Sequence, residues 1–157
     1  PFWRHAGFSR IWGDDLLSVT GYRPVVDVLA LEALTAQADS LALVGFDSPM
    51  LERSYRFLQG DVENAPVLTV SAAPLADELY VLNLRTQALQ VDVFGRDGRL
   101  RRTLIGTGAE RTGDYYPRDL DVRRRGKMIE IAVVTTSPDP AVIVYETPVV
   151  ENPQAER

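Results

Sequence analysis

The stretch from Leu79 to Gly106, LYVLNLRTQALQVDVFGRDGRLRRTLIG, limits the possible folds more than any other part of the chain. Leu79, Val81 and Asn83 alternate with Tyr80, Leu82 and Leu84 until Arg85-Thr86-Gln87 ends the run, the pattern of a buried strand. Val91 and Val93 alternate with Gln90, Asp92 and Phe94. Arg96-Asp97-Gly98-Arg99 then supplies an Asp-Gly pair where a tight hairpin needs positive φ. Leu100, Thr103 and Ile105 carry a returning strand to Gly106. A chain with this unit at its centre is expected to be all-β.

The pattern repeats on either side. Ser40 to Val44 is an apolar strand, followed by a turn through Asp47-Ser48-Pro49 and a second strand over Met50 to Leu58. Lys127 to Val134, a turn through Ser137-Pro138-Asp139-Pro140, and Ala141 to Tyr145 repeat it again. Leu43 to Val81 is 38 residues and Phe57 to Phe94 is 37, while Val81 to Ala132 and Phe94 to Tyr145 are both 51. The polar, Gly-containing loop Thr107 to Tyr116 accounts for the longer interval. Each unit is preceded by an extended segment, at Val25 to Val28, Val67 to Val70 and Arg118 to Val122. The repeats are therefore expected at 24–60, 66–106 and 117–148.

Within the central unit, VDVFGRDGRLRRTLIG resembles the third and fourth strands of a blade in the NHL-type, six-bladed β-propeller family. The resemblance implies an architecture rather than an activity: antiparallel blade-like repeats forming an incomplete propeller or open sheet stack, with a β-sandwich as the alternative. Closed propellers typically have ~4–8 blades, so three units do not readily close a ring. Apolar flanks left this way are expected to be shielded by another polypeptide. The expected organisation is an aromatic arm with a short strand at 1–23, a single β-repeat domain at 24–148 and a tail at 149–157.

The arm contains Phe2, Trp3, Phe8 and Trp12, large rigid rings that either pack on the domain or anchor a partner. His5, the only histidine, has no nucleophile or ligand set near it in sequence. Arg123-Arg124-Arg125-Gly126-Lys127 is the strongest basic cluster, either a solvated hairpin tip or a contact for an acidic protein surface or lipid headgroups. Asp119 and Asp121 alternate on one strand face and are the weak candidates for a shared cation; the alternative is pairing with Arg118 and Arg123.

A net charge of −5 argues against nucleic acid as a partner, and the lack of cysteine removes thiolate chemistry and disulfides. There is no GxSxG, Walker loop, HExxH or GxGxxG after a strand, and no cofactor is expected. No apolar run is long enough to span a membrane. The chain opens at Pro1 without an initiator Met, as expected of a protein whose leader is absent, which points to a periplasmic or otherwise exported bacterial protein. The expected function is a non-catalytic protein-interaction module, an accessory or stabilising subunit of a larger bacterial assembly, either soluble or membrane-bound. The alternatives are a truncated propeller-type hydrolase or lactonase using a divalent cation, and a small-ligand or glycan-binding β domain.

Overall fold

The computed structural model describes residues 7–32, 39–60, 66–84, 89–106, 117–136 and 139–150. In chain order these form β1 (Gly7–Trp12), β2 (Asp15–Thr20), β3 (Val25–Ala30), β4 (Asp39–Ala42), α1 (Pro49–Gln59), β5 (Thr69–Leu75), β6 (Glu78–Asn83), β7 (Gln90–Gly95), β8 (Leu100–Ile105), β9 (Pro117–Arg125), β10 (Met128–Thr135) and β11 (Ala141–Pro148). They make three antiparallel meanders, β1-β2-β3-β4, β5-β6-β7-β8 and β9-β10-β11. Among the described residues the fold is all-β apart from one helix. No helix among the described residues is long and apolar enough to cross a membrane.

The central hairpin forms where Asp97-Gly98 places it. Gly98 has a φ of 72° and its N–H donates to Gly95 O at 3.0 Å. A side chain at Gly98 would lie 2.1 Å from Ala42 O, so glycine also permits the approach of the first sheet. Val44 N donates to Gly98 O and Leu100 N to Val44 O, joining the two sheets through main chain.

Two expectations are corrected. The first repeat is not 24–60 but the sheet spanning 7–42. Gly7–Trp12 pairs with Asp15–Thr20, which pairs with Val25–Ala30, so the expected boundary at residue 23 runs through a paired sheet. Met50 to Leu58 is helix, not strand. Ser48 caps α1 by accepting the Met50 N–H, Pro49 occupies the first turn, and Gly60 ends the helix with φ 89°. Met50, Leu51 and Phe57 fall at helical rather than alternating spacing. Met50 and Leu51 pack on the core of the first two sheets, and Phe57 is buried.

Alternation divides the strands of the middle sheet between two cores. Leu17, Val19 and Val26 meet Leu79, Val81 and Phe94 between the first and second sheets, where Phe46 packs edge-on against Phe94 with ring centroids 5.6 Å apart. Tyr80, Leu82, Val91 and Val93 meet Leu120, Ile129, Ile131 and Val133 between the second and third. The middle sheet is thus buried on both faces, and full burial of a side chain such as Leu79 stabilises by ~1.5–3 kcal/mol relative to exposure. At one end of this sheet a polar ladder crosses all four strands, buried on β5, β6 and β7 and open at Thr103 on β8. Thr69 Oγ1 donates to Asn83 Oδ1, Asn83 Nδ2 to Asp92 Oδ2, and Thr103 Oγ1 to Asp92 Oδ1, at 2.8–2.9 Å.

Candidate functional site

The repeat register shows which positions face which neighbour. Leu17, Tyr80 and Glu130 are each the third residue of the second strand in their sheets, and Val19, Leu82 and Ala132 the fifth. In the first two sheets these residues point into the next core. In the third sheet they point to an open flank, together with Val134 and, across β11, Val142 and Val144.

That flank has two unlike halves. Near the β9-β10 hairpin, Glu130 receives Arg123 Nε at 2.5 Å and Arg125 Nη1 at 3.0 Å. Donation from Arg125 first, then Arg123, holds the Glu130 carboxyl below its ordinary 4.5 despite the opposing effect of burial. Arg124 Nε donates to Gly126 O. The basic cluster is therefore engaged within its own hairpin, although the Arg123 and Arg125 side chains remain 75% exposed. Towards the other end, Val142 is 65% exposed, Val144 55% and Val134 37%, an apolar strip with Ala132 between them.

The expected cation pair separates. Asp119 turns to the first strands of the other two sheets: Arg10 Nη2 lies 2.8 Å from its Oδ1, Ser71 Oγ donates to the same oxygen at 2.5 Å, and Arg10 also reaches Ser71 Oγ at 3.3 Å. The three strands β1, β5 and β9 are thereby tied at one point. Asp121 instead lines a recess on the open flank with Arg123, Glu130 and Val144. Among the described residues, no three His, Cys, Asp or Glu side chains converge as metal ligands do.

Of the four aromatic anchors, Phe2 and Trp3 lie outside the described residues, as does His5. Trp12 is 3% exposed, donates its indole N–H to Ala76 O at 2.6 Å and carries Arg96 over its ring at 3.9 Å, leaving no face for a partner. Arg96 also holds Asp15 at 3.0 Å, which locks the first hairpin to the second sheet. Phe8 is partly buried against the first core, with Arg10 4.9 Å from its ring centre.

Beside the flank, between β8 and β11, lies a cleft of about 710 Å³. Deeper along β8, Arg102 binds both Glu78 oxygens and the Tyr80 hydroxyl. Burial raises the Glu78 carboxyl, but the bonds from Arg102 and Tyr80 outweigh it and leave the group below 4.5. Burial and the same carboxylate push the Tyr80 phenol up. The valine strip was not among the sequence candidates, yet it had a signal. Alternation with one wet face would interrupt KMIEIAVV and AVIVY with polar residues, and their nearly continuous apolar character marks strands that are apolar on both faces.

No protein-family model matches the chain, and none of the curated proteins does. Among solved structures it is similar to the crystal structure of Myxococcus xanthus glutaminyl cyclase, with a TM-score of 0.56 and 9% sequence identity, over 92% of this chain and 56% of that one. The chain thus spans about half the length of the structure it matches. At that identity the likeness shows the fold alone, and with the three meanders it makes the architecture β-propeller-type.

Proposed function

We propose that this chain is a non-catalytic protein-interaction module, an accessory or stabilising subunit of a larger bacterial assembly, exported to the periplasm, that docks through the open flank of its third sheet. The observation that carries this reading is the strip of Val134, Val142 and Val144, apolar side chains on a face whose counterparts in the other sheets are core. An apolar centre beside the Arg123–Glu130–Arg125 rim has the layout of a protein interface. The NHL-like, six-bladed form belongs to the same proposal: the three sheets are an arc, and the docking partner continues it with a further β-sheet. The test is co-purification of the tagged native chain from its source, compared with Val142→Asp and Val144→Asp. The proposal expects a stoichiometric partner lost in both variants, and a partner retained unchanged in both would refute it.

The cation-dependent hydrolase is kept as a second reading because Asp119 sits where three strands meet. It expects a divalent ion to raise the melting temperature and Asp119→Asn or Asp121→Asn to abolish that rise. The glycan-binding reading expects an aromatic-lined pocket, and the cleft between β8 and β11 has one ring in its lining, Tyr145.

A further inference from the structure

We propose that the recess at one end of the first strands of the three sheets, β1, β5 and β9, binds a small monoanion with a flat apolar body, of which an aromatic carboxylate is the simplest case. β5 lies between β1 and β9. At the end where all three begin, a recess of about 240 Å³ is lined by Phe8, Tyr22, Val67, Thr69, Val70 and Arg118. None of these belongs to the valine strip of the third sheet, so the inference stands apart from the docking reading.

Two of the three strands are distorted at this end, and at the same place. Thr69 faces Asn83 and Ser71 faces Leu82, so Val70 is the extra residue of a bulge in β5. Pro117 faces Thr135 and Asp119 faces Val134, so Arg118 is the extra residue of a bulge in β9. The two bulges correspond, because the residues that follow them, Ser71 and Asp119, are hydrogen-bonded to each other. β1 pairs with β2 without interruption. A bulge re-aims the side chain it carries, and bulges concentrate beside functional sites. Here both extra residues line one recess.

The wall from the first sheet is held in place by two other elements. Gly21 O accepts from Leu68 N at 2.7 Å and from Thr69 N at 3.1 Å, which ties the β2–β3 turn to the start of β5. Ser54 Oγ of α1 donates to Tyr22 O, so the helix holds the same turn. Phe8 packs only in part against the first core and keeps surface for the recess.

The order of the strands sorts the chemistry. Phe8 and Tyr22 come from the first sheet, Val67 and Val70 from β5 and the residues leading into it, and Arg118 from β9. Among the described residues lining the recess, Arg118 carries the charge. Its Nε donates to Thr136 Oγ1 at 3.1 Å, which orients the guanidinium. A guanidinium has five N–H donors in a planar fork, so it can hold this bond and a carboxylate together. One cation among apolar walls favours a monoanion, because a second negative charge would be desolvated without compensation. Rings and valines accept a flat apolar body, and aromatic pairs settle offset or edge-on. The ligand therefore lies with its carboxylate towards β9 and its ring towards β1.

Titration of the native chain with benzoate, followed by NMR of the isotope-labelled protein, tests the proposal. Benzoate is expected to bind saturably with NOEs from its ring to Phe8 and Tyr22, and benzamide and inorganic phosphate to bind at least tenfold more weakly. Arg118→Gln is expected to weaken benzoate at least tenfold and to remove its advantage over benzamide. Tyr22→Ala should weaken both, and Arg53→Gln, which removes a cation on α1, should change neither. The benzamide comparison needs no variant, so it decides even where Arg118→Gln does not fold. Any of four results overturns the proposal: no saturable binding of benzoate, equal affinity for benzoate and benzamide, NOEs confined to other residues, or full benzoate affinity in folded Arg118→Gln.

Discussion

The interface between the second and third sheets and the outer flank of the third are built from the same backbone positions and differ in what fills them. Tyr80 and Leu82 are fully buried between sheets, while at the same places one sheet on Glu130 is covered only by Arg123 and Arg125 of its own hairpin and Ala132 is half-buried on the outer face. The comparison teaches that strand position alone does not decide polarity; the next layer does. It also separates the two terminal flanks from each other. On the first sheet a row of Ser9, Ser18, Asp27 and Ser40 runs across all four strands, with Ser40 bonded to Asp27, so that part of the face is suited to water. On the third sheet the corresponding conversion stops at Glu130, and the valines beyond it keep the character of a core.

The largest effect that would sharpen this contrast is inside. Phe94→Ala removes a fully buried ring packed edge-on with Phe46 and is expected to lower unfolding stability by ~3–5 kcal/mol, read from the denaturant midpoint. Asp92→Ala leaves the buried Asn83 amide without its acceptor and is expected to cost ~1–3 kcal/mol by the same measurement.

Acid titration separates the regions next. Glu78 and Glu130 are both held below 4.5, so near that pH the unfolded chain binds more protons than the folded one. Their contribution is full above about pH 4.5 and is lost as pH falls through the depressed values. Arg102 and Glu78 are 21% and 30% exposed, whereas Glu130, itself 7% exposed, is held by two arginines that are 75% exposed and keeps Arg125 when Arg123 is lost. Arg102→Ala should therefore flatten the acid slope more than Arg123→Ala, and the reverse order would break the distinction between interior and flank.

The smallest effect is expected on the strip itself. Val142→Asp should change the stability of the isolated chain by no more than ~0.5 kcal/mol, and a loss near that of Phe94→Ala would mean the flank is covered from within.

Much of the fold is legible in the residues. Strands β7 and β9 show period two, β6, β10 and β11 read as apolar runs, and Asp97-Gly98 marks its own hairpin. The first sheet was harder to read because β1 places Arg10 between Phe8 and Trp12, which breaks the apolar alternation. Only the folded chain shows Arg10 bridging to Ser71 and Asp119. The helix was missed because Ser48-Pro49 signals both a turn and a helix start, and the burial of Phe57 decides between them. Asp119 was legible as a candidate but its role was not, since Arg10 stands 109 residues away along the chain.

The chain has no cysteine, so a single introduced thiol reports cleanly on the open flank. The most direct measurement is the labelling rate of the thiol in Val144→Cys, in the purified chain and in its native cellular setting, with Val93→Cys as the buried reference. The account predicts fast labelling at 144 in the purified chain, at least tenfold protection in the cell, and slow labelling at 93 in both. Equal rates at 144 in the two settings, or protection already present in the purified chain, would contradict it.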